Sequence, residues 1–332
     1  MSPTTRRLAA GLDLMPGGHN HPLLMPLAVA ELQEDLLAAM DRKNHWAWPH
    51  FNEGQATRAQ LLLHFAQEFE VYVRDFPVLL SRVHARCPHP EVRQDLAENL
   101  YEEETGKLSK GVPHPELFLI MMEGLGFPRA RFTGIDLLPE AAAYRAWIDQ
   151  VTTRRPWIEG AALVTIFIEG SVDDRRRVTT PEPEDPVDLE AELRRNALVE
   201  HYGVDPRFLD LKRAHHMVET GHRKMAWKMV LDHARSPGVA DRIRRILARS
   251  LDLWLLYRDG VARTCRIERP PTRSRRPAGL NRRRRPGGRS PPPNPLRRRS
   301  RRRGSRRRGG APGPAGALRA PVPPISWPVP AR

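Results

Sequence analysis

The 332-residue sequence is poor in cysteine and aromatic residues and has no long apolar run. Its two cysteines, Cys87 and Cys265, are far apart and form no CxxC pair. That excludes a disulfide-stapled scaffold and a thiolate zinc cluster, and fits a reducing compartment; a cytoplasmic protein is expected. The best apolar runs, residues 161–168 and 251–257, fall well short of the roughly 20 residues a membrane span requires. The N-terminal MSPTTRRLAAGLDLMPGG has arginines but no apolar h-region, so it reads as a loose arm and not as a secretion signal. Acidic residues are missing altogether from position 269 onward, where 20 arginines occur; removing those charges from the net +16 leaves the preceding residues at −4. The basic character of the chain therefore belongs to a tail.

That tail combines arginine blocks with proline and glycine and has almost nothing to bury, so a disordered segment is expected over 263–332. Arginine blocks neutralise phosphates, and the tail could bind nucleic acid non-specifically; it lacks the interleaved aromatics of a stacking platform. An extension without a selected role is the simpler reading. Residues 1–44 are read as an arm and first helix, and 45–262 as a single helical domain.

Helical periodicity runs from about residue 27 to 260, and no stretch alternates in the way a sheet strand does. An all-α fold is expected, with helices near 27–42, 57–86, 90–106, 114–125, 139–151, 156–176, 187–201, 206–234 and 237–260. Proline and glycine clusters fall at the junctions. Pro77 lies inside one predicted helix, which it should kink or divide.

Three features carry chemistry. His215, Glu219 and His222 stand at i, i+4 and i+7, so at about 100° per residue they share one helix face and can ligate a metal. A polar face with ordinary histidines is the alternative. Glu169 interrupts the apolar run 160–170; an unpaired carboxylate there is costly to ionise, and a cation, water or a pair with Arg175 or Arg176 would relieve it. Glu102, Glu103 and Glu104 crowd a helix C-terminus, where the macrodipole disfavours negative charge, and His114 just beyond could face them; taken alone, a solvated acidic turn and a capping or surface histidine are the simpler readings. Together Glu103, His114, Glu169, His215, Glu219 and His222 provide three carboxylates and three imidazoles. That mix suits two Fe(II) ions, or a manganese–iron pair, with positions left for O2 and substrate. Zinc is disfavoured by the number of carboxylates.

The order of these motifs, with residues 76–87 and 99–106 ahead of Glu169 and the His-x3-Glu-x2-His face, resembles the haem-oxygenase-like diiron oxidases and oxygenases. These are related in fold to the TenA/PqqC proteins, and the similarity over residues 51–234 is nearest to the para-aminobenzoate-forming type. The resemblance implies a bundle of about seven core helices and places the family's ligands on the six residues named above. Position 219 is Glu where the family often has Asp, and position 194 is Arg where the para-aminobenzoate-forming type has lysine. It further implies two Fe(II) ions, O2 as co-substrate, a small organic substrate, an external electron donor and a protein that can form a homodimer. Phe167, Tyr72 and Phe69 are candidate pocket walls, although their helical spacing favours core packing. The same fold also hosts cofactorless PqqC-like oxidases and TenA-like hydrolases, which are the rival readings, along with a non-catalytic interaction protein acting through its basic tail.

Overall fold

The computed structural model describes residues 24–107, 110–180 and 188–270; the side chains of 24–27 and 217–222 also lie outside that description. The N-terminal arm and most of the arginine-rich tail therefore fall outside the described residues. Among the described residues, all regular structure is helical. The order is α1 (Leu24–Asp41), α2 (Trp48–Asn52), α3 (Arg58–Glu68), α4 (Phe76–Arg86), α5 (Pro90–Thr105), α6 (His114–Gly124) and α7 (Pro139–Arg154). There follow α8 (Trp157–Ala161), α9 (Asp174–Thr179), α10 (Leu189–Arg194), α11 (Ala197–Glu200), α12 (Asp210–His233) and α13 (Pro237–Thr264).

Local chemistry sets these boundaries. Thr57 and Gln60 form a reciprocal capping box at the start of α3, which satisfies two otherwise orphaned amides. Ser236 caps α13 with proline next to it. Pro77 divides its segment: it occupies the first turn of α4, where its missing N–H costs nothing, and a wide π-turn, Phe69–Val73, closes α3 ahead of it. The Arg74 amide accordingly reaches back five residues to the Phe69 carbonyl, at 3.0 Å.

The expected helix 156–176 is not continuous. It begins as α8, widens into a π-helix over Ala162–Ile168, stops at Glu169-Gly170 and resumes as α9. Gly170 lies so close to the Arg223 guanidinium and the Asp174 carboxylate that an added Cβ would stand 2.5 and 2.6 Å from them. The span 187–201 is also divided, because the Asn196 side chain accepts from the Leu198 amide and starts α11 afresh. Short helices at Trp48–Asn52 and Arg129–Phe132 were not foreseen.

Buried positions of α13, including Ile243, Leu247, Ser250, Leu251, Trp254, Tyr257 and Val261, recur at helical spacing. This stripe packs on α1, α7 and the Ala162–Ile168 segment, while α4 packs on α5 and α12 lies against α6, α9 and the same π segment. Every residue from Ala161 to Ile168 is buried, so this segment is the centre of the bundle. No helix among the described residues is long and apolar enough to cross a membrane.

Candidate metal centre

The C-terminal turn of α5 buries two of its three consecutive carboxylates, Glu102 and Glu103, and leaves Glu104 exposed. The helix ends at Gly106, which is left-handed at φ 59°. A Cβ at this position would stand 1.9 Å from the Val112 carbonyl, so only glycine lets the chain fold back this tightly. The fold-back brings His114, the first residue of α6, onto the carboxylates. Its Nδ1 is 3.0 Å from Glu103 Oε1, and its Nε2 is 3.4 Å from Glu102 Oε1. Burial opposes protonation of this imidazole, but the charges of Glu103 and Glu102 outweigh it and push the pKa up. His114 thus supplies the compensation that acids at a helix C-terminus require.

From α12, buried His215 approaches the same cluster, with its ring centroid 5.4 Å from that of His114. Burial and then the neighbouring His114 charge hold its pKa well below the ordinary value, so the ring is neutral and carries a lone pair. Two acceptor-capable atoms, Glu103 Oε2 and His215 Nε2, are buried without a hydrogen-bond partner among the described residues. Such orphans cost several kcal/mol in an apolar interior, and a carboxylate oxygen with a neutral imidazole nitrogen is a donor set that divalent iron accepts. The residues present fit a metal. Glu219 and His222 follow on α12, but their side chains lie outside the described residues.

Glu169 is buried at the end of the π segment and faces α12 through Arg223, 3.7 Å away. Arg175, considered as its partner from the sequence, instead pairs with Glu34 and Asp41. Arg223 also donates to the carbonyls of Thr165 and Ile166 and to Asp174, which accepts from the Trp227 indole at 3.1 Å as well. On the other side, the Lys43 ammonium donates to the carbonyls of Phe167, Ile168 and Gly170. Burial brings its pKa down to about 7 despite the opposing charge of Asp174. The carbonyls released where the π-helix stops are therefore satisfied by two buried cations, and these fix the turn that carries Glu169. Sequence reading missed Lys43, Arg223, Asp174 and Glu102. Only Glu102 had a signal, as the immediate neighbour of Glu103.

The structure thus pairs His114 with Glu103, sets His215 beside His114, and places Glu169 against the helix that carries His215. Of the candidate wall residues, Phe69 stacks on Phe118 at 5.4 Å, Tyr72 donates its hydroxyl to Glu68, and Phe167 is fully buried. All three pack within the core.

The fold and the sequence are similar to those of known proteins. The chain is 26% identical over 225 residues to 4-aminobenzoate synthase of Nitrosomonas europaea, an alignment covering 65% of this chain and 82% of that protein. A TenA homologue from Pseudomonas syringae superposes with a TM-score of 0.53 at 14% identity, covering 70% of this chain and 92% of the other. A domain with a haem-oxygenase-like fold from Shewanella denitrificans superposes with a TM-score of 0.50 at 13% identity, covering 75% and 95%. At such identities the solved structures establish the fold alone: an all-α, TenA/haem-oxygenase-like bundle. Residues 63–255, more than half of the chain, match the family of iron-containing redox enzymes, and this chain belongs to that family.

Proposed function

We propose that this chain is a non-haem diiron oxidase or oxygenase that uses O2 to oxidise a small organic substrate in cofactor or secondary metabolism. The observation that carries this reading is the pair of buried atoms without a partner among the described residues, Glu103 Oε2 and His215 Nε2, on the two side chains that neighbour His114. Glu103, His114, Glu169, His215, Glu219 and His222 would hold the two irons. When bound, the iron pair supplies the redox chemistry with O2, drawing electrons from the substrate and an external donor. The protein's part is positional. Gly106 and the fold-back set Glu103 against His114, burial keeps His215 neutral, and Lys43 and Arg223 hold the turn at Glu169.

Hydrolysis of the TenA type needs a cysteine nucleophile. Burial pushes the thiol of Cys87 up and that of Cys265 up to about 11, which disfavours the thiolate at neutral pH. The relative from Nitrosomonas europaea makes formation of 4-aminobenzoate the first activity to assay. Arginine at position 194 makes the wild type and Arg194→Lys the informative pair in that assay.

Anaerobic Fe(II) titration of the full chain tests the proposal, with two irons bound per chain expected. His215→Ala combined with Glu169→Ala should abolish iron uptake while the far-ultraviolet circular dichroism stays helical. A wild type that takes up no stoichiometric iron, or a double variant that retains both ions, would overturn the assignment.

A further inference from the structure

A second group of ligand-type side chains lies outside the centre described above. We propose that His89, Glu91 and His233 form a peripheral divalent-cation site suited to Zn2+, joining the start of α5 to the end of α12. One ligand atom from each of the three residues lies within 4.8 Å of the others. On a tetrahedral zinc ion at about 2.0–2.2 Å, ligand atoms stand about 3.3–3.6 Å apart, so closure needs each separation to shrink by no more than about 1.5 Å, within reach of rotamer changes in partly exposed side chains. Two imidazoles and one carboxylate are an established zinc donor set, with water able to complete the tetrahedron.

The surroundings prepare these groups for a metal. His233 Nδ1 is 2.9 Å from the Met229 carbonyl, one turn back on α12, and can only donate to it; Nε2 therefore keeps the lone pair. A hydrogen bond of this kind is how a protein fixes the tautomer of a ligating histidine. The His89 and His233 rings lie 4.3 Å apart, and the Trp157 ring packs on both, at 5.4 and 5.3 Å. His89 is held between Pro88 and Pro90 in extended conformation at the N-cap of α5, so Glu91 rises in the first turn beside it, its Oε1 3.8 Å from His89 Nδ1. Asp232, the other carboxylate beside His233, is engaged by Lys228 and Arg235 and does not compete. Glu91 and His233 line a surface pocket of about 330 Å³ that gives an ion access from solvent.

The site is separate from the candidate iron centre. At 1.5 Å per residue, Glu91 lies about 18 Å along α5 from Glu103, and His233 about 27 Å along α12 from His215. A bound ion would pin together the far ends of the two helices whose other ends carry Glu103 and His215. It would thereby fix the two helix ends relative to each other without touching the iron ligands.

The test is equilibrium dialysis of the full, metal-free chain against Zn2+ at neutral pH. The wild type is compared with His89→Gln/His233→Gln and, to remove the iron centre, with Glu103→Gln/His215→Gln. The Glu103/His215 variant should retain one zinc per chain, and the His89/His233 variant should bind one fewer than the wild type. A His89/His233 variant that binds as many zinc ions as the wild type, or no zinc in the Glu103/His215 variant, overturns the proposal. If the His89/His233 variant melts early without zinc, Glu91→Gln decides instead: zinc affinity should fall about tenfold or more, and unchanged affinity overturns the site.

Discussion

Replacing Arg223 by methionine keeps most of the side chain's length and apolar volume but removes the guanidinium from the junction of α12 and the central π segment. The wild-type group pairs with Asp174 and Glu169 and donates to the Thr165 and Ile166 carbonyls, all in the interior. Asp174, 1% exposed, would keep only the Ser171 amide and the Trp227 indole, each at 3.1 Å. Removing one partner of a buried ion pair costs about 3–5 kcal/mol. The two neutral donors that remain, each worth about 1 kcal/mol, place the expectation at the low end, about 3 kcal/mol. For a domain of this size that is a fall in Tm of roughly 6–12 °C. Urea denaturation of Arg223→Met, Asp174→Asn and the double variant measures it. The double variant should be more stable than the sum of the single losses predicts, by about 2 kcal/mol, because Asp174 is no longer left as a charge without its partner. Additive losses, or a single variant within about 0.5 kcal/mol of wild type, would refute this account of the junction.

Glu68 gives a pH prediction. Burial would raise its pKa, but the charge of Arg258 and the contacts with His64 and Tyr72 outweigh that and hold it at about 2, against 4.5 for the ordinary group. A depressed carboxyl adds stability above its unfolded pKa and loses it as pH falls through the folded one, so on the order of 3 kcal/mol should disappear between about pH 5 and 2. Glu68→Gln should be the less stable protein at pH 6, and the gap in urea midpoints should close by pH 2. A gap that stays constant with pH contradicts the assignment. Gly170→Ala should destabilise by about 1–3 kcal/mol or more, since its Cβ meets the Ile166 carbonyl at 2.3 Å as well as Arg223 and Asp174; an unchanged melting temperature would show that the turn yields freely. Removal of residues 270–332 should leave Tm and iron stoichiometry unchanged, as measured by calorimetry and metal analysis, because the described core ends at Cys265 and Ile267, just past α13.

Helix content was legible in the sequence because periodicity and caps are local. The α13 stripe and the proline at α4 follow from spacing and from the missing proline N–H. Interruptions were harder to see. Nothing in the residues 160–170 shows that a helix widens and stops there, since the cause is distant: Lys43 from the loop after α1 and Arg223 from α12 take over its last carbonyls. A lysine between Arg42 and Asn44 reads as solvated, and Arg223 beside Lys224 reads as a surface pair. Burial of a cation can be recognised only once the carbonyls it serves are placed.

His114 shows the opposite case, in which an awkward spacing becomes intelligible through one residue. Eleven positions separate it from Glu103, and in a continuous helix they would hold the two about 16 Å apart along the axis. Gly106 ends the helix in the left-handed region, its carbonyl accepts from the Gly111 amide at 2.8 Å, and the Val112 carbonyl packs where a Cβ would be. The loop is thereby absorbed into a tight return that delivers the imidazole 3.0 Å from the carboxylate. Gly106→Ala should break this contact before it unfolds α5, because the strain falls on the return and not on the helix. The expected result is iron uptake lost at a helix content close to wild type. If Gly106→Ala binds iron normally, the fold-back is not what sets His114 against Glu103.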